Sequence, residues 1–77
     1  MEKFGLYIRT LREQANLPLR KLVSSLDIDQ STLSKIERGE RQFTSDMVTK
    51  LAKIFSIEYK HLQIMFLKEK LLTVLTN

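Results

Sequence analysis

Asp29 and Gly39 bracket the stretch that most restricts how this chain can fold. Asp29 is a strong helix cap, its carboxylate able to accept the backbone N–H of Ser31 or Thr32. Gly39 readily takes the left-handed turn that ends a helix. Between these signals only Leu33 and Ile36 are apolar, three positions apart. The helix is therefore pinned to the rest of the chain by one narrow stripe, which other segments must cover. Its opposite face carries Gln30, Ser31, Ser34, Lys35 and Arg38, with no acid among them.

The covering segments are also helical by pattern. Apolar positions recur at helical spacing throughout, and two Gly with one Pro are too few for a β-rich set of turns. The periodicity predicts an all-α chain of four or five helices with short connections, forming one domain over residues 1–77. The first helix is expected from about Lys3 to Ala15, with Phe4, Tyr7, Ile8, Leu11 and Ala15 on one face and Arg9 and Glu13 paired outside. Asn16-Leu17-Pro18 breaks it, because the residue before a proline avoids helical geometry. Pro18 suits the first turn of a second helix, whose stripe is Leu19, Leu22, Val23 and Leu26, with Arg20, Lys21 and Ser24 facing out.

Asp27 is a left-handed stop, and Asp27-Ile28-Asp29 leaves about three residues to join the second helix to the third. Two helices joined that tightly, with Ile28 tucked beneath the turn, describe either a helix-turn-helix or an ordinary helical hairpin. Spacing leaves both readings open. Beyond the Glu40–Phe43 loop, Thr44 or Ser45 caps a fourth helix carrying Val48, Leu51, Ala52 and Phe55, and Asp46 complements its dipole.

From Tyr59 to about Leu75 the helical pattern broadens into two stripes. Leu62, Met65 and Phe66 form one, and Ile64, Leu67, Leu71 and Val74 the other. A helix apolar on two sides has more than one surface to cover, and a second copy of the chain is the simplest candidate for the outer one. The chain ends at Asn77 directly after an apolar run, which fits a piece of something longer.

Composition narrows the function classes. There is no Cys, His61 is the only histidine, and glycines stand only at positions 5 and 39. Thiol nucleophiles, clustered metal ligands and a glycine-rich phosphate loop are therefore missing, and no enzyme or cofactor is expected. His61 reads as a surface residue. The N-terminus lacks the apolar core of a signal peptide, and the longest apolar run, Ile64–Leu67, is far too short to span a membrane. A soluble cytoplasmic protein is the expectation. The net charge of +4 is uneven, at +1 over residues 1–40 and +3 over residues 41–77. Such a balance permits nucleic-acid binding without establishing it. The polar, acid-free face of the Asp29–Gly39 helix is the more specific pointer, since it suits the donor and acceptor pattern of a DNA major groove.

Arg12 and Glu37 each follow a core position, Leu11 and Ile36. They either meet at the junction of the first and third helices or stand solvated, and the residues alone favour solvation.

The run Ser-Thr-Leu-Ser-Lys-Ile-Glu-Arg-Gly at 31–39 closely resembles the recognition-helix signature of the phage-repressor-like helix-turn-helix family. That group of small bacterial and phage regulators includes the lambdoid repressors, the Cro proteins and restriction–modification controllers. The resemblance runs from about Phe4 to Leu62, with Ile8, Leu11-Arg12 and Leu17 like its first helix and Leu51-Ala52 and Phe55 like its fourth. It implies a five-helix lambda-repressor-like fold with the helix-turn-helix at helices two and three, to which the two-striped pattern adds an extended C-terminal helix over 59–77 for dimerisation. It also turns Arg12 and Glu37 into a buried ion pair.

The resemblance further implies that Gln30, Ser31 and Lys35 read base edges of double-stranded DNA. Thr32, Ser34, Arg38, Arg41 and Gln42 would lie along the sugar-phosphate backbone, joined by the outward-facing Arg20. By their outer-stripe pattern, rather than by the resemblance, Ile64, Leu67, Leu71 and Val74 would form the dimer interface. There are departures: Pro18 replaces a Ser or Thr cap, Leu19 a Gln that contacts phosphate, Asp27 a turn Gly and Phe43 a Pro. The expectation is a homodimeric transcription regulator, a repressor or controller on a pseudo-palindromic operator. Its rivals are an antitoxin whose last helix binds a toxin, the DNA-targeting module of a larger protein, and a protein–protein adaptor that does not bind DNA.

Overall fold

The computed structural model describes residues 3–76, with side chains through Leu71. Among these residues there are five helices and no strand: α1 Phe4–Gln14, α2 Leu19–Leu26, α3 Gln30–Glu37, α4 Ser45–Ile54 and α5 Tyr59–Thr76. The chain divides after Phe43 into two compact units. None of the described helices is long and apolar enough to cross a membrane.

In the first unit α3 packs on both α1 and α2. The buried apolar side chains are Phe4 and Ile8 of α1, Leu22, Val23 and Leu26 of α2, Leu33 and Ile36 of α3, and Phe43 of the loop that follows. Phe43 meets Phe4 edge to face, with ring centroids 5.7 Å apart, the geometry that aromatic quadrupoles favour. An aromatic anchor thus fastens the chain just beyond α3 to the start of α1.

The buried face of α1 is rotated from the one its apolar residues predict. Phe4, Gly5 and Ile8 are buried, Tyr7 and Leu11 are half-buried, and Ala15 lies past the helix and exposed. Gly5 is the reason. A Cβ there would overlap the carbonyl oxygen of Ile36 and stand 3.3 Å from the Glu37 Cα, so α1 presents bare backbone to α3. Close helix contact of this kind needs glycine, which the loss of about 1 kcal/mol of helix propensity relative to Ala otherwise disfavours.

Four helices stop in the same way. Asn16, Asp27, Gly39 and Ser56 all have left-handed backbone, with φ of 54°, 58°, 83° and 54°. After each, paired backbone bonds close the helix end, as in Gly39 N–H to Ile36 O at 3.0 Å and Glu40 N–H to Lys35 O at 2.8 Å. Asp27 therefore holds the left-handed stop that its position predicts. Asn16 shows that the break before Pro18 is a left-handed turn as well as a proline effect. Pro18 itself is extended at the N-cap (ψ 149°), one residue before the helical turn expected for it. Its carbonyl accepts the N–H groups of Lys21 and Leu22.

In the second unit α4 packs on α5. The Thr44 hydroxyl caps α4 by accepting the Met47 N–H at 3.3 Å, and Asp46 in the first turn and Lys53 in the last suit its dipole. Val48, Leu51 and Ala52 are buried, while Phe55 is only half-buried. On α5 the inner stripe is Leu62 and Phe66, extended one turn by Lys70, whose ammonium lies 5.5 Å from the Phe66 ring. The outer stripe is as expected where described: Ile64, Leu67 and Leu71 are 53%, 49% and 60% exposed. Val74 lies outside the residues whose side chains are described.

Candidate nucleic-acid interface

α3 is an eight-residue helix, about 12 Å long at 1.5 Å per residue, with a defined start and stop. Asp29 accepts the Thr32 N–H at 2.7 Å, and Arg38 is the final cap before Gly39 turns away. Leu33, Ile36 and Glu37 are its buried side chains. This inner stripe includes a carboxylate, which is costly unless fully paired.

Glu37 is paired. Arg12 Nε donates to Glu37 Oε2 at 2.9 Å and Nη2 to Oε1 at 3.2 Å, a two-pronged contact with the side chains 14% and 5% exposed. Arg12 Nη1 donates to the Leu17 carbonyl at 3.1 Å. One guanidinium thus ties α1 to the turn before α2 and to the last turn of α3. Its position follows from register: Phe4, Ile8 and Arg12 repeat every fourth residue along the buried face of α1. The pair is inward, as the family resemblance implies and against the solvated reading that the residues alone favour.

With its inner stripe fixed, α3 turns the opposite side to solvent. Gln30, Ser31 and Lys35 are exposed and Ser34 is half-buried. Gln30 with Ser34, and Ser31 with Lys35, are four-residue pairs, so these side chains share one helical face. The structure therefore brings the three expected base-reading residues together. Of those expected along the sugar-phosphate backbone, Arg38, Arg41, Gln42 and Arg20 are exposed, the first three just beyond α3 and the last on α2. Thr32 is half-buried and committed to the Asp29 cap.

The surroundings of this face are not purely basic. Asp29 stands at its start and Glu40 just beyond its end. The Thr32 side chain and N–H hold the Asp29 carboxyl below the usual carboxylate range, and the charges of Arg41 and Lys35 act in the same direction. Glu40 is held low chiefly by a hydrogen bond from Arg38, whose Nε lies 2.6 Å from Oε2, then by the charges of Arg38 and Lys35. Arg38 is held correspondingly high by Glu40. Both carboxylates are thus ionised, close to the cations expected to meet DNA.

Three contributors to the site escape the residue-level reading. The signal for Gly5 is a glycine inside a helical pattern, which costs about 1 kcal/mol relative to Ala. The signal for Glu40 is its place in Arg-Gly-Glu, where a left-handed glycine folds two opposite charges toward each other. Lys3 also belongs here: its side chain lies over Gly39, 2.8 Å from where a Cβ would stand.

The outward face of α3 carries Gln30, Ser31, Ser34 and Lys35, and a helix about 10–12 Å across fits a major groove about 12 Å wide. No curated protein and no solved structure matches the chain. A helix-turn-helix family model matches residues 8–62, from the middle of α1 to the first turn of α5. The chain belongs to the helix-turn-helix family of DNA-binding regulators, the phage-repressor and Cro type.

Proposed function

We propose that this protein is a sequence-specific transcription regulator that binds a two-fold operator as a homodimer. The observation that carries the reading is the two-sidedness of α3. Arg12–Glu37 and Gly5 fix its inner side, leaving Gln30, Ser31, Ser34 and Lys35 outward with no acid among them. In this reading Gln30 pairs with adenine, Lys35 with guanine, and Ser31 adapts to either. Ser34, Arg38, Arg41, Gln42 and Arg20 hold the backbone, fixing register rather than reading sequence. Two copies place their α3 helices in successive major grooves, with half-site centres about 34–36 Å apart. Occupancy of a site overlapping a promoter represses it.

The exposed Ile64, Leu67 and Leu71 support self-association. The same stripe favours one second reading, an antitoxin in which α5 receives a toxin helix. Sedimentation of the isolated protein separates them, because a homodimer needs no second protein.

Titrating random-sequence duplex at increasing salt tests the reading. Phosphate neutralisation releases counterions, so log affinity falls linearly with log salt with a slope of about −0.9 per phosphate contact. Lys35, Arg38, Arg41 and Arg20, all exposed, predict a steep slope. A flat response, or no binding at low salt, contradicts DNA binding.

A further inference from the structure

We propose that Glu40 is a built-in competitor for DNA phosphate, occupying Arg38 in the free protein and thereby lowering affinity for any duplex. The inference rests on the DNA-binding reading above and extends it to an acid in the binding surface.

Arg38 and Glu40 flank Gly39, whose φ of 83° turns the chain back at the end of α3. That turn brings Arg38 Nε to 2.6 Å from Glu40 Oε2, closer than the Arg12–Glu37 pair. A carboxylate presents to guanidinium much the same oxygens as a phosphate does. The two side chains are each 55% exposed, so solvent reaches the pair and one anion can exchange for another. The turn is closed by the backbone N–H groups of Gly39 and Glu40, which glutamine at position 40 leaves in place. Lys35 and Arg41 have no carboxylate within ion-pair distance among the described residues, so Arg38 is the cation of this rim that an acid holds.

When DNA arrives, a phosphate must displace Glu40 from Arg38. This competition weakens backbone contact without regard to base sequence. A basic chain with net charge +4 is thereby kept from lingering on arbitrary DNA.

The test measures duplex affinity against salt for the intact protein, Glu40→Gln, Arg38→Gln and the double variant. Glu13→Gln controls for the unit rise in net charge at an exposed site on α1. Glu40→Gln is expected to tighten binding about two- to fivefold on random and selected duplexes alike, with a slope steeper by up to about one. The gain should vanish when Arg38 is Gln, and Glu13→Gln should give little of it. Unchanged affinity in Glu40→Gln overturns the proposal while leaving DNA binding intact. A gain that persists without Arg38 also overturns it, because Glu40 would then repel DNA directly. Failure of the parent protein to bind any duplex refutes both this inference and the reading beneath it.

Discussion

Gly5 and Ile36 meet backbone to backbone: a side chain on Gly5 would occupy the space of the Ile36 carbonyl oxygen. The contact sets how near α3 comes to α1, and the Arg12–Glu37 pair fixes the same two helices two turns further along α1. Together they hold α3 from behind, which frees its outer face from any structural duty.

Gly5→Ala tests that contact. Alanine gains about 1 kcal/mol in helix propensity, yet the obstructing atoms are backbone and cannot rotate aside. The expected net result is a loss of about 2 kcal/mol or more, read as a lower midpoint in urea unfolding. A stabilised variant would show that α1 and α3 can move apart freely.

The ion pair makes a different prediction. Arg12→Met leaves the Glu37 carboxylate buried without its partner and should cost about 3–5 kcal/mol. Arg12→Met combined with Glu37→Leu removes both charges and should recover much of that loss. Unfolding curves for the four proteins of this cycle give the coupling directly, and simple additivity would contradict a buried pair.

Asp29 sets an acid limit on the stability of α3. Its carboxyl is held below the ordinary range by Thr32, then by Arg41 and Lys35. As pH falls through about 4, the unfolded chain takes up this proton before the folded chain does, so stability declines. The loss is complete once pH passes below the lowered folded value. Asp29→Asn keeps a good cap and removes that titration. The stability advantage of the parent over the variant should therefore shrink in acid. Urea midpoints measured between pH 6 and pH 2.5 that keep a constant separation would contradict this.

The outer stripe of α5 bears on assembly. Leu67→Glu with Leu71→Glu alters two side chains that are about half exposed. The variant should stay folded and sediment as a monomer where the parent is a dimer. An unchanged mass would remove α5 from the interface.

How far the sequence reveals all this follows from which forces are local. Helix caps and stops are local, so Asp29, Thr44, Asp27 and Gly39 were readable from residue type. Ser56 was not, because serine tolerates a left-handed backbone without advertising it. The two stripes of α5 were readable because periodicity records burial. The rotated face of α1 was not. Its apolar residues implicate Leu11 and Ala15, whereas a residue with no side chain, Gly5, decides the packing. Arg12 and Glu37 show the limit most plainly, since charge and register allowed either orientation and only a resemblance favoured the inward one. Glu40 escaped because its role depends on a turn that folds it toward Arg38.

Selection from a random duplex library tests most directly whether α3 reads DNA. Repeated capture on the intact protein is predicted to enrich two inverted copies of one short half-site, their centres about 34–36 Å apart. With Lys35→Ala, preference should relax at one position of each half-site while the rest is retained. Recovered duplexes that share no sequence would contradict base reading by α3.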